Sequence, residues 1–198
     1  MTRALATLFV LLATAETPAP ASTVSLVEAH AMVEKLASLE KRAKLKKAPR
    51  KVPMSVSEAE INSYVNLTRG NELPKGLSDV IVRFESDQLV ARGILDLDQL
   101  RGRGQLTEGL DGYLGFLSGE VPVEVTGRLR IVAEGVGAFA IEDAHLATFP
   151  VPVTVIERLV VWATKSAGNP QGFDIHSPFR LPYALRRVRL EPGRALLD

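Results

Sequence analysis

The sequence predicts an α+β domain in which a long, curved antiparallel sheet packs on an N-terminal helix, with one or two further short helices. Three observations carry this expectation. A helical apolar stripe occupies residues 24–47, and alternating apolar and polar residues dominate 80–148. The helical and alternating stretches are also segregated along the chain, which favours α+β over a βαβ winding.

The chain opens with Arg3, an apolar run from Ala4 to Ala13, and the small-x-small triplet Ala13-Thr14-Ala15. That layout is expected of a secretory signal peptide, residues 1–15. The run falls short of the ~20 residues that span a bilayer. Residues 16–23, rich in Thr, Pro and Ala, are expected to be a linker, and 24–198 a single domain. The expected location is therefore periplasmic or extracellular, with the chain soluble once the leader is removed. There are no cysteines, so the core must hold without disulfides. Once Arg3 is removed, basic and acidic residues balance at 23 each, which argues against a nucleic-acid binder.

Within the first helix, Leu26, Ala29, Val33 and Leu36 share a stripe, widened by Met32, Leu39 and Ala43. Glu28 and Glu34 lie early and the cations late, matching the helix dipole. Ala48-Pro49 stops the helix. A strand is expected over Val52–Val56, followed by a second helix opened by the capping box Ser57-Glu58-Ala59-Glu60. The stretch Thr68–Gly76 has turn composition.

Val80, Val82 and Phe84, then Leu89, Ala91, Gly93, Leu95 and Leu97, alternate with polar residues on either side of Ser86-Asp87. This predicts a hairpin with one dry face. Val121, Val123, Val125, Gly127, Leu129, Ile131 and Ala133 share one parity, an unusually long strand against a mode of ~5–6 residues. Pro122 and Gly127 are expected to bend it. Gly135-Val136-Gly137 should turn the chain into a partner strand, Ala138–Thr148. A helix is expected over Val153–Ser166 after Pro150 and Pro152, and a last strand over Ala184–Leu190.

Candidate chemistry is sparse. His30, His145 and His176 share no metal-ligand spacing, so no metal or cofactor is expected. Ser177 stands near Asp174 and His176 but outside any nucleophile elbow. Asp96 and Asp98 could pair as acid and base, although Asp98 is better read as the cap of a short turn. No catalytic residue is assigned and the chain is not expected to be an enzyme. Asn66-Leu67-Thr68 matches a glycosylation sequon. Arg101-Gly102-Arg103-Gly104 resembles one RGG unit, read as a loop.

Two features invite a binding function. Seven cations (Lys41, Arg42, Lys44, Lys46, Lys47, Arg50 and Lys51) crowd eleven residues and could meet anionic lipid headgroups or a partner. Leu110–Gly119, with Tyr113, Leu114, Phe116 and Leu117 between glycines, could be a core-packing loop or the lip of an apolar cavity.

The leader, the N-terminal helix, the phrase Ser57-Glu58-Ala59-Glu60-Ile61-Asn62-Ser63-Tyr64 and the long antiparallel strands together resemble the bacterial tubular lipid-binding (TULIP-like) envelope proteins. Phe149-Pro150-Val151-Pro152 and the closing run from Leu181 to Val188 add to the likeness, which spans most of the chain as architecture. The resemblance implies a bent sheet wrapped on a helix, an apolar groove for acyl chains and no catalytic residues. This chain is small for such a groove. The expected function is reversible binding of a lipid or other apolar ligand. Leu89, Leu95, Leu129 and Ile131 are the expected lining, and Phe116, Phe139, Leu159 and Trp162 lie near the mouth or the closing helix. The alternative is a non-catalytic envelope scaffold with a filled core.

Overall fold

The computed structural model describes residues 24–45, 53–102, 115, 117–164 and 170–198. Helix α1 (Leu26–Ala43) starts at Ser25, whose hydroxyl accepts a hydrogen bond from the Glu28 N–H. It ends where the Lys44 N–H turns back to Glu40 and Arg42 carbonyls, shorter at both ends than the apolar stripe suggests. Strand β1 (Met54–Ser57) runs directly into α2 (Glu58–Ser63). The capping box is formed: Ser57 Oγ accepts from the Glu60 N–H, and Glu60 Oε2 accepts from the Ser57 N–H at 2.8 Å. The other use of Glu60 is to receive Lys35 Nζ of α1 at 2.7 Å, which explains how a carboxylate only 6% exposed is tolerated.

After α2 the helix widens into one π turn (Tyr64–Thr68). Strands β2 (Leu77–Phe84) and β3 (Gln88–Asp96) form the expected hairpin, its turn passing through Asp87 at positive φ. The short α3 (Leu97–Gly102) follows. Its cap is Asp96 rather than Asp98: Asp96 Oδ1 accepts from the Gln99 N–H, and Asp98 Oδ2 accepts from the Gly119 N–H. The cap must precede the first helical residue, and β3 delivers Asp96 there.

Strand β4 (Glu120–Ala133) is the long strand of the sequence pattern, and β5 (Val136–Leu146) pairs with it along its length. The turn between them is Glu134-Gly135, one residue ahead of the expected glycine pair, with Gly135 in the left-handed region. Register shifts at Thr126/Gly127 and at Ile131/Ala133 mark two bulges, which bend the pair. Then come β6 (Phe149–Pro150), helix α4 (Val153–Ala163), β7 (Phe179–Arg180), β8 (Val188–Glu191) and β9 (Arg194–Leu197). The single closing strand expected over 184–190 is replaced by a 3₁₀ turn (Pro182–Ala184) and the hairpin β8–β9. Pro192-Gly193 makes the turn, with Gly193 at positive φ.

The strands form two antiparallel sheets. One has the order β2-β3-β4-β5-β6, with β7 also paired to β5, and the other has the order β1-β9-β8. The inner face of the larger sheet collects the residues of one parity: Leu95 opposite Val121, Gly93 opposite Val123, Ala91 opposite Val125 and Leu89 opposite Gly127. Three elements cover this face in turn. Helix α4 brings Val155 and Ile156 onto Leu95, Val121 and Leu146. The small sheet brings Leu190 and Ala195 onto Val82 and Phe84. Helix α1 brings Leu39 onto Leu181 and Leu185, beside Ile131.

Candidate functional site

Two concavities, one on the inner face of the larger sheet and one between the two sheets, use residues that the alternation pattern singled out. The first is an apolar groove of about 180 Å³ between α4 and strands β2–β4. Leu95 and Leu159 line it with Leu77, Val80, Val125 and Val160. Ala91 and Gly93 of β3 form part of its floor, and Leu77 folds over Gly93, where a Cβ would meet its Cδ1 at 3.0 Å. An open groove walled by aliphatic side chains can accept an apolar group.

The second is a cleft of about 640 Å³ between the larger sheet and the edge strand of the smaller one. Leu129 and Ile131 of β4 line it together with Val188 of β8 and Leu197 of β9. At one end the Asp87 N–H reaches the Leu190 carbonyl at 3.3 Å, and at the other the Gly135 N–H reaches the Arg186 carbonyl at 2.9 Å. Between these ties β4 and β8 are not paired.

The remaining candidates spread out. Leu89 is packed against the Val82 and Phe84 cluster and lines neither concavity. Phe139 sits against Gly127, where a Cβ would overlap the ring, and it also lines neither. Trp162 lies on the backbone of α4. Phe116 is outside the described residues, as are Lys46, Lys47, Arg50 and Lys51 and most of the Leu110–Gly119 segment. Lys41 and Arg42 form the last turn of α1, and Lys44 is paired to Glu40 at 2.6 Å, holding that carboxyl below its usual range.

The residues that hold β2 in place, and with it Leu77 and Val80 in the groove wall, escaped the pattern reading. Asn62 Oδ1 accepts from the Val82 N–H at 2.7 Å while its Nδ2 donates to the Val82 carbonyl at 3.0 Å. Asn66 does the same with Val80, at 3.2 and 2.6 Å. Glu58 Oε1 accepts from the Phe84 N–H at 2.6 Å. These three side chains, four residues apart, stand in for the missing neighbour of an edge strand. The phrase Ser57-Glu58-Ala59-Glu60-Ile61-Asn62 is thus a helix entry joined to a strand clamp. The asparagine of the sequon is one of the clamps.

Among the described residues no catalytic arrangement forms around Ser177. Its hydroxyl donates to Asp174, holding that carboxyl below its ordinary range, with the His176 backbone N–H adding to the effect. The His176 ring faces Glu157 at 3.2 Å instead. His145 faces Asp143 and His30 faces Glu34. Among the described residues no three His, Cys, Asp or Glu side chains gather as metal ligands, and no helix is long and apolar enough to cross a membrane.

No protein-family model matches the chain, and no curated protein or solved structure matches it. The fold is an antiparallel α+β one, with a groove on the inner face of the larger sheet and a cleft between the two sheets.

Proposed function

We propose that this protein binds a lipid or another apolar ligand reversibly against the inner face of its larger sheet, in the cell envelope after export. The observation that carries this reading is the groove under α4. A packed domain closes such spaces, because unfilled volume costs stability at roughly 24 cal/mol per Å³. Here a groove stays open beside a helix edge, with the small Ala91 in its floor. Its 180 Å³ is below the ~300 Å³ at which drug-sized pockets begin, so it suits one chain end or a ring rather than a whole lipid. Leu95 and Leu159 are the contacts expected to matter most.

A second reading, an envelope scaffold, draws on α1. Leu26 and Val27 are 77% and 78% exposed at its start, beside half-exposed Val24, an apolar surface suited to a partner. Native mass spectrometry of the mature protein from its own host, followed by solvent extraction, separates the two. A stoichiometric adduct that matches an extracted lipid supports the ligand reading. A clean apo mass with no uptake from vesicles supports the scaffold.

A further inference from the structure

We infer that the cleft between β4 and β8 is a second site, one that takes the anionic head of an amphiphile with its tail turned inward. The inference rests on the lipid-binding reading and adds the ligand's charge and its place.

Backbone parity supplies the first argument. The Leu97 N–H donates to the Gly119 carbonyl one step beyond the Asp96–Glu120 pair, so odd-numbered residues of β4 face β3 with their hydrogen-bonding groups. The β3–β4 pairing ends at Gln88–Arg128. Leu129 and Ile131 therefore turn their N–H and C=O groups to a side where β3 has already ended. On β8, Arg187 exchanges hydrogen bonds with Asp198, so odd residues face β9 and Val188 faces the other way. The Val188 groups lie between the two tied ends of the cleft. Among the described residues none of these three has a backbone partner on that side. Unpaired N–H groups at an opening are ready donors to an anion.

Side chains supply the second. Leu129, Ile131, Val188 and Leu197 pack inward, with the core clusters of α1 and the small sheet. The alternating neighbours Arg130, Arg187 and Arg189 are exposed on the outer side and line the cleft. Six other arginines (Arg69, Arg92, Arg101, Arg128, Arg186 and Arg194) have a carboxylate within 4.0 Å. Among the described residues Arg130, Arg187 and Arg189 have none, as is also true of Arg83, Arg158 and Arg180 outside the cleft. The Glu142 carboxyl is held below its usual range first by the hydrogen bond from Arg128, and the charge of Arg130 adds to the effect. Asp87 and Asp198 are the opposing charges in the lining, and Glu142 holds Arg128. Cations and N–H donors above an apolar floor match a carboxylate or phosphate carrying an alkyl chain.

The test titrates the mature protein calorimetrically with dodecyl phosphate, dodecanoate, neutral dodecyl maltoside and inorganic phosphate, each below its micelle concentration. The anionic amphiphiles are expected to bind about tenfold or more tighter than the maltoside. An Arg187→Gln, Arg189→Gln double variant should lose that advantage while melting as the wild type does, since both side chains are exposed. Uptake of phospholipid from phosphatidylglycerol vesicles, and not from phosphatidylcholine vesicles, would identify a phospholipid source. Uptake of dodecanoate alone would identify a fatty acid. Equal affinity for charged and neutral amphiphiles, or indifference to the double variant, overturns the inference. So does inorganic phosphate binding as tightly as dodecyl phosphate. Binding abolished by Ala91→Leu, which fills the other groove, and untouched by the arginine changes would leave the lipid reading standing and this site refuted. No binding of any amphiphile refutes both.

Discussion

Asn62 on α2 and Val82 on β2 exchange two hydrogen bonds, side-chain amide to backbone amide, across twenty residues of sequence. The arrangement repeats at Asn66 and Val80, and a geometric match underlies it. Four α-helical residues rise about 6.0 Å and two strand residues about 6.6 Å. Glu58 and Asn62 thus match Phe84 and Val82, and the π turn carries Asn66 onto Val80. A helix laid beside an edge strand can therefore keep register with it through every fourth side chain. Asn62 is fully buried, so Asn62→Leu leaves the Val82 N–H and C=O without partners. The expected loss is about 3 kcal/mol, seen as a lower urea midpoint with an unchanged m-value.

Asn66 is held by Val80 and by the Asn62 carbonyl. Its amide nitrogen is thus unavailable in the folded protein, whatever the sequon suggests. Expression in a host that glycosylates exported chains should yield folded protein without glycan at Asn66, read by intact mass. Modified chains, if formed before folding, should melt lower, because the clamp is then lost.

Gly127 and Phe139 are a close pair on β4 and β5. A Cβ at position 127 would overlap the Phe139 ring, so Gly127→Ala is expected to cost about 1–3 kcal/mol. Adding Phe139→Leu should recover part of that loss. A double-mutant cycle from thermal melts gives the coupling, and strict additivity would show that the ring is not the obstacle.

Ala91→Leu places an aliphatic side chain in the groove under α4. Stability should hold or rise, because the added surface enters existing space. Uptake of apolar ligand there should fall at least about tenfold. Retained uptake with a raised melting point would move the ligand elsewhere.

Glu142 has its pKa lowered first by the hydrogen bond from Arg128 and then by that from Gln88. A carboxyl depressed on folding contributes stability that is full above its ordinary value of about 4.3 and is lost as pH falls through the lower folded value. Glu142→Gln should thus narrow the gap to wild type as pH drops from 5 toward 2, with melts at each pH as the check.

The sequence was most legible where one period ran long. Seven same-parity residues from Val121 to Ala133 disclosed β4, and Leu89 to Leu97 disclosed β3. Four-residue strands carry only two residues per face, so β8 was read as the end of a longer strand over 184–190 and β9 was not announced. Parity reports which face a residue takes but not what covers it. It therefore grouped Leu89 with Leu95, although the small sheet covers one and α4 the other. The asparagine clamps were illegible for a related reason. Their partners lie twenty and fourteen residues away, and no local pattern records such a bond.

β9 is the central strand of the small sheet, with Met54 opposite Leu197 and Ser57 opposite Arg194. The segment around β1 thus waits for a strand partner far along the sequence. Until residues 194–197 leave the ribosome, β1 and β8 have no common neighbour, and the Leu190 and Ala195 cover over Val82 and Phe84 is missing. The small sheet therefore closes only when segments about 140 residues apart in sequence meet, a long-range pairing that slows folding.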